Sequence, residues 1–538
     1  MMMHTTDARR LLQRKLDSLL RTGQILLESS ADTSRIMRNM KRAAAYLGLP
    51  EKNLHIHIDY NMLMVNIHNT ELSFSKFQRC DKHGINFTAI SAVSKLTYRA
   101  ANENYSLAQY EAALDEIANR ERNYSPLLTA VGAAFACGGF CIQFGCDWVA
   151  FLYATLAAFI GFRLRYHLIE FGINIYMAIA CAAFASTVAA WLTTYLPASW
   201  TSTPLHPLLA CALFIVPGVP LINFVDDMLD NNIQTGLVRA ANTMMMMIAM
   251  AFGILFALKF CLWAFNFQPD IMGISMVPHH NYWEYAIAAA ISGMGFSMIF
   301  NIPKRLLWVA AVGAAIAVCT RNLVSLNPDE LCQFSLGWGG VLGSLAGSVL
   351  ISLVMLRMAH RVHAPMQILA ICSVIPMVPG VLMYRSLYSF LMMTHTENQL
   401  VDTMSQAGIN GINASLMIFC IALGVAVPSV FAKRYIGAKK QQRDWKTFVP
   451  GSCGQAALHQ EVRIDSTDPE NTPGEILTKG PNVLLGYYKN DEATQTAIDS
   501  NGWFHTGDLA TMDSDGNVFI KGRSKNMLLG SNGQNIYP

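Results

Sequence analysis

Two prolines, a glycine, an asparagine and three aspartates crowd one apolar stretch, Phe214-Ile-Val-Pro-Gly-Val-Pro-Leu-Ile-Asn-Phe-Val-Asp-Asp-Met-Leu-Asp230. Pro217 and Pro220 lack the N–H that a helix ladder needs, and Gly218 tolerates the bend that follows. Carbonyls freed in this way can accept a hydrogen bond or coordinate a cation. The half-helix that restarts offers unpaired N–H groups and a positive dipole end, which suit a carboxylate. Asn223 can donate and accept, and Asp226, Asp227 and Asp230 stand at the inner end, where one can take or release a proton. A small zwitterion or anion is the ligand class that fits this chemistry.

The tetrapeptide Val-Pro-Gly-Val recurs at Val378–Val381, where Pro376, Pro379 and Gly380 precede Tyr384 and Arg385. A guanidinium at the centre of a bilayer costs about 2.5–3.5 kcal/mol on insertion scales, so it faces a cavity or a partner. Arg385 is therefore either a clamp for a ligand carboxylate or half of an Arg–Asp pair inside the bundle. Matching Pro/Gly interruptions in two halves of an apolar chain point to a transporter's binding site. No catalytic residue, metal or cofactor is expected.

Composition supplies the setting for these motifs. The 538 residues are 53% hydrophobic and 14% charged, against roughly 25% charged in a typical soluble domain. Residues 1–125 and 440–538 carry ordinary charge, whereas the stretch between is nearly bare. A net charge of +3 argues against a nucleic-acid partner. Most of the twelve cysteines lie in apolar runs without a CxxC pair, as small buried side chains do.

Ten runs are candidate spans: 127–145, 148–163, 171–196, 207–225, 239–263, 284–301, 305–320, 333–356, 366–393 and 411–432. With a cytoplasmic N-terminus, Arg163, Arg165, Arg239, Lys304, Arg305, Arg357 and Arg361 all fall in inner loops, and Arg321 alone falls outside. Lys433, Arg434, Lys439 and Lys440 then keep the C-terminus inside as well. The expected fold is a polytopic α-helical membrane protein of ten transmembrane helices, in the inner membrane of a bacterium. Five is odd, so modules 126–265 and 266–436 would be inverted repeats, with the breaks in spans four and nine. Gly236 and Gly408 would each open the following span.

Residues 1–125 read as a small cytoplasmic α+β domain. Leu11, Leu12, Leu16, Leu19 and Leu20, then Ile36, Met37 and Met40, mark two helices over 8–48. Alternation over 53–68 predicts a strand, followed by strands at 72–79 and 85–90. Ser106 and Gln109 have capping-box spacing before a helix to about Glu121. His55, His57, His68 and His83 lack a completing ligand set and read as a solvated strand face.

Residues 1–436 resemble the threonine/serine exporter family. The motifs are Gly23-Gln-Ile-Leu-Leu-Glu-Ser-Ser-Ala-Asp-Thr-Ser-Arg35, Pro217–Asn223 with Asp227, Gly236-Leu-Val-Arg239, and Ile375–Gly380 with Tyr384 and Arg385. The resemblance implies proton-gradient-driven export, by antiport, of small hydroxy amino acids, with Asp227 as the proton carrier. Small dicarboxylates such as succinate are the alternative cargo. The partners implied are substrate, protons, the lipid bilayer and a second copy in a homo-oligomer.

After a linker at 437–446, residues 447–538 resemble adenylate-forming acyl-CoA ligases as a partial α/β segment. The motifs are Gly474-Glu-Ile-Leu-Thr-Lys-Gly, Gly502-Trp-Phe-His-Thr-Gly-Asp508 and Lys521-Gly-Arg-Ser-Lys-Asn. The resemblance places Asp508 on ribose hydroxyls, Arg523 on the ribose side and Lys525 near an interdomain hinge. The family's phosphate loop is not found upstream, and the chain ends before the lobe with the catalytic lysine. Phosphoryl chemistry depends on such positioned donors and cations, so a vestigial nucleotide site without ligase activity is expected.

Overall fold

In the computed structural model the chain forms two compact units, Met1–Ala432 and Lys433–Pro538. The structure describes all residues except 1, 50, 69–72, 104, 198, 266–273, 275, 277–279, 329–333, 363, 393–399, 441–448, 450, 457–459, 481–482, 488–489, 524–527, 530–534 and 537–538.

The first unit opens with helices α1 (Met2–Glu28) and α2 (Thr33–Tyr46). α1 closes through Ala31 N–H donating to Leu26 O at 3.0 Å, with Ser30 in the left-handed region at φ 62°. Asp32 caps α2 by accepting the Arg35 N–H at 2.7 Å. Strands β1 (Leu54–Ile58), β2 (Met62–His68) and β3 (Ser73–Arg79) form an antiparallel sheet in that order. The single strand expected over 53–68 is thus a hairpin. At its tip Asp59 N–H donates to Met62 O at 2.9 Å, and the Asp59 carboxylate accepts the Tyr60 N–H at 2.7 Å. A side chain that bonds the local backbone in this way competes with the ladder.

Ile85–Ile90 is not a strand either. Asn86 accepts the Ala89 N–H at 3.2 Å and starts helix α3 (Phe87–Asn102). Helix α4 (Leu107–Ala118) follows the capping box of Ser106 and Gln109, with both hydrogen bonds made. Leu16, Leu19, Leu26, Ile36, Met40, Leu63 and Val65 form the core between helices and sheet, continuous with the apolar helices beyond. His55 stacks on His68 and Tyr60 on His83. Among the described residues no three His, Cys, Asp or Glu side chains converge as a metal site.

Among the described residues ten helical segments follow, two of them broken. They are α5 (Pro126–Gln143), α6 (Trp148–Glu170), α7 (Ile175–Leu192), the bent pair α8 (Pro207–Ala210) and α9 (Gly218–Leu229), and α10 (Ile233–Phe265). Next come α11 (Tyr282–Ile299), α12 (Leu307–Ser325), α13 (Gly339–Val362), the bent pair α14 (Met366–Val374) and α15 (Gly380–Met392), and α16 (Leu400–Lys440). Among the described residues seven helices are long and apolar enough to cross a membrane, or nine if each bent pair is one span. α11, with Tyr282-Trp-Glu-Tyr as its first turn, falls outside that count. Exposed Leu152, Leu156 and Ile160 line one face of α6, where lipid rather than water would cover them.

Glycines set the closest helix approaches. A Cβ on Gly295 of α11 would lie 2.2 Å from Gly132 O of α5, so only glycine fits there. Gly253 of α10 rests on Ala180 of α7, and Gly424 of α16 rests on Ser348 of α13. Gly408 does not open a span: it lies inside α16, two turns from its start. α16 also runs into the expected linker, whose residues 441–446 lie outside those described.

The second unit is an antiparallel sheet rather than the α/β segment expected. Its strands are β4 (Glu461–Asp465), β5 (Gly474–Lys479), β6 (Phe504–Met512) and β7 (Val518–Arg523), in the order β4-β5-β6-β7. One short helix, α17 (Asp491–Ala497), interrupts it, and β8 (Leu528–Leu529) pairs with β9 (Asn535–Ile536). Ile464, Ala510 and Val518 are its small core.

Candidate functional site

The two Pro-Gly breaks meet. The α8–α9 pair bends by 59° and the α14–α15 pair by 54°, each through a 3₁₀ turn that ends at the proline and glycine. Gly218 N–H turns back to Val216 O and Gly380 N–H to Val378 O, both at 2.8 Å. The contacts between the breaks are reciprocal. A Cβ on Gly218 would lie 2.7 Å from Ile375 Cδ1, and one on Gly380 would lie 2.9 Å from both Leu213 Cδ2 and Val216 Cγ2. Pro376 is buried in the second turn. The gap between the breaks, lined by apolar side chains that include Phe140 and Phe296, measures only ≈ 10 Å³.

At the far end of α9 the polar residues gather. Asp227 is 1% exposed and Arg239, from the start of α10, is 4% exposed. Arg239 Nε stands 2.9 Å from Asp227 Oδ2. Their remaining partners come from the turn between α1 and α2. Thr33 N–H donates to Asp227 Oδ1 at 2.9 Å, Arg239 Nη2 donates to Ala31 O at 2.8 Å, and Asn223 Nδ2 donates to Ser30 O at 2.8 Å. Pro220 and Arg239 border an adjoining cavity of ≈ 20 Å³ with Leu27, Ser30, Tyr60, His83 and Asn242. That is room for about one water. Asn242 links outward, donating to Tyr60 Oη at 2.7 Å and accepting from Tyr176 at 2.6 Å.

The N-terminal domain also holds the helices elsewhere. Arg35 Nη2, from the first turn of α2, donates to Gln367 Oε1 on α14, so the start of α2 and the turn before it touch both broken pairs. Phe87 and Thr88 N–H donate to Phe300 and Asn301 carbonyls at 3.0 and 3.2 Å, which clasps the α11–α12 connection. Within the domain, burial pushes the Asp32 carboxyl up, but the Arg35 and Arg38 guanidiniums and the Arg35 N–H outweigh it and hold it below the usual aspartate value. Burial, then the Arg239 charge, lowers His83 and keeps it a neutral wall of the cavity.

The threonine/serine exporter family accounts for most of the chain. Residues 17–261 match the family described as "Putative threonine/serine exporter", and residues 285–431 match "Threonine/Serine exporter, ThrE". The chain belongs to the threonine/serine exporter family. Its apolar helices are those of a multi-pass membrane protein.

A C-terminal stretch is similar to other proteins. It is 48% identical over 92 residues to "Putative acyl-CoA synthetase YngI" of Bacillus subtilis, covering 16% of this chain and 17% of that protein. It is 43% identical over 91 residues to 2-succinylbenzoate–CoA ligase of Bacillus velezensis, covering 16% and 18%. Among solved structures, it is 33% identical to O-succinylbenzoate coenzyme A synthetase of Bacillus subtilis in complex with AMP. That match covers 16% of this chain and 18% of that one, with a TM-score of 0.16. The chain thus spans under a fifth of the length of these relatives.

The remaining predicted residues of the exporter scatter around this centre. Asp226 is buried beside Asp227, whereas Asp230 is exposed at the end of α9. Tyr384 is buried with its hydroxyl 3.5 Å from Leu209 O, and Arg385 Nη2 donates to Ile274 O at 2.9 Å. In the tail, Arg523 Nε donates to Asp508 Oδ1 at 2.8 Å, and Lys525 lies outside the described residues. Ser30, Ala31, Thr33, Tyr60 and Asn242 are site residues that the sequence reading missed. The run Gly23–Arg35 was legible as a family motif, but its use of backbone atoms left no side-chain signature.

Proposed function

We propose that the chain exports threonine and serine from the bacterial cytoplasm across the inner membrane by proton antiport, alternating access around its two broken helices. The observation that carries this reading is the reciprocal contact of Gly218 and Gly380, with a buried Asp227–Arg239 pair at the end of α9. Ten spans in an inverted five-plus-five arrangement fit it, because two equivalent breaks can then exchange the roles of mouth and floor. The lysines and arginines of the inner loops put both termini in the cytoplasm. Pro217, Gly218, Pro220, Asn223, Asp226, Asp227, Asp230 and Arg239 form one side of the path. Pro376, Pro379, Gly380, Tyr384 and Arg385 form the other.

Asp227 is the proton carrier in this reading. A proton on its carboxylate cancels the charge that holds Arg239, so protonation changes which groups are paired at the site. The test is accumulation of labelled threonine and serine by everted membrane vesicles holding the full chain. Uptake follows an imposed proton gradient, and Asp227→Asn abolishes it while still inserting. Normal gradient-driven flux in that variant removes the assignment. Two buried guanidiniums, Arg239 and Arg385, favour a second reading, export of a small dicarboxylate. Labelled succinate in the same vesicles decides between them. The ligase-like tail is read as non-catalytic, and the expected outcome for the full chain is no ATP–pyrophosphate exchange.

A further inference from the structure

The turn between α1 and α2 presents two carbonyls and one N–H to three buried side chains. Asn223 and Arg239 take the carbonyls of Ser30 and Ala31, and Asp227 takes the N–H of Thr33. An α-amino acid carries the same set: two acceptor oxygens on a carboxylate and a cationic N–H donor. Here the turn supplies neutral versions of groups that, fully charged, would suit a guanidinium and a carboxylate better, since charge-assisted hydrogen bonds are the stronger ones. Asp227 Oδ2 and Arg239 Nε are close but lack an aligned hydrogen-bond partner, so the site's capacity is not filled by the turn. The cavity beside it holds about one water. Nothing larger enters unless the turn leaves.

Building on the exporter reading above, we infer that residues 29–33 are an internal pseudo-substrate. Asn223, Asp227 and Arg239 form the cytoplasmic-side binding site for an α-amino acid zwitterion, and the turn and the zwitterion compete for it. The ammonium takes the place of Thr33 N–H on Asp227, and the carboxylate takes the place of the two carbonyls at Arg239 and Asn223. One carboxylate cannot hold an ammonium and a proton at once, so substrate and proton compete for Asp227. The apparent affinity for substrate is then lowered by the fraction of time the turn occupies the site.

Hydrogen exchange of the purified full chain, with and without millimolar L-threonine, tests this directly. The peptide containing Thr33 exchanges faster when threonine is bound, and succinate, which has no ammonium, leaves it protected. Thr33→Pro supplies an independent measurement. Thr33 is the first residue of α2 and follows an extended Asp32 (φ −65°, ψ 149°), so proline fits the backbone while deleting the donor to Asp227. Its KM for threonine export falls about tenfold, the size of one hydrogen bond to a charged group. A merely structural turn would leave KM unchanged or raise it. Threonine that binds and is exported while the Thr33 peptide stays protected and the Thr33→Pro KM does not fall overturns the pseudo-substrate but not the exporter. Absence of both threonine binding and threonine flux overturns both.

Discussion

Arg239→Met removes the charge beside Asp227 while keeping much of the side-chain volume. The two groups are 4% and 1% exposed and 2.9 Å apart, so the carboxylate left behind keeps one backbone donor, Thr33 N–H, and little water. Breaking one partner of a buried pair costs about 3–5 kcal/mol, because an uncompensated charge stays inside. Asp227→Asn/Arg239→Met removes both charges and should cost only about 1–2 kcal/mol, the worth of the weakened hydrogen bonds to the α1–α2 turn. The double variant is therefore more stable than Arg239→Met alone, by about 2–3 kcal/mol. The assay is the fraction of detergent-purified full chain that stays monodisperse after heating, read for wild type, both single variants and the double. A domain of 150–250 residues loses about 2–4 °C per kcal/mol, and a larger unit loses less. Arg239→Met should thus melt several degrees below the double variant. Additive effects, with the double variant the least stable of the four, would refute the view that a desolvated charge pair holds this end of α9.

Gly295→Ala should destabilise more than Gly218→Ala. The first sets a Cβ 2.2 Å from a backbone carbonyl, whereas the second meets the movable end of Ile375 at 2.7 Å. Overpacking of the first kind costs about 1–3 kcal/mol and reads out as a lower melting point of the purified chain. Asp32 has a lowered value in the folded state, so its contribution is complete above the ordinary aspartate range and is lost as pH falls through and below it. Exchange protection of residues 33–46 should therefore hold from neutral pH down to about 4 and weaken below that, and Asp32→Asn should flatten the dependence. Burial pushes the Cys80 thiol up to about 12, while Cys453 is exposed. Mass spectrometry after maleimide treatment of the native chain at neutral pH should find Cys453 modified and Cys80 untouched.

Sequence alone determined the features that are local in the chain. Apolar runs about 20 residues long must be helices in lipid, where every backbone group needs an internal partner, so all ten expected runs fall on helices or bent pairs. Pro-Gly pairs must break those helices, and both bends stand where Pro217 and Pro379 occur. The capping box at Ser106 was equally legible, because both of its partners lie within four residues. The same local chemistry was misread where a short polar side chain competed with a periodic pattern, at Asp59 within the expected strand and at Asn86 before α3.

Only the tertiary structure decided what the breaks and charges face. Gly218 and Gly380 are 162 positions apart in the numbering, and no pattern along the chain requires their contacts to be reciprocal. Asp227, Arg239 and Asn223 were visible as candidates. Their partners are backbone atoms of residues 30–33, and every residue carries the same carbonyl and N–H. Which of these groups meets which charge is set by how the N-terminal domain docks on the helices, and that docking is a sum of long-range contacts that a one-dimensional sequence does not display.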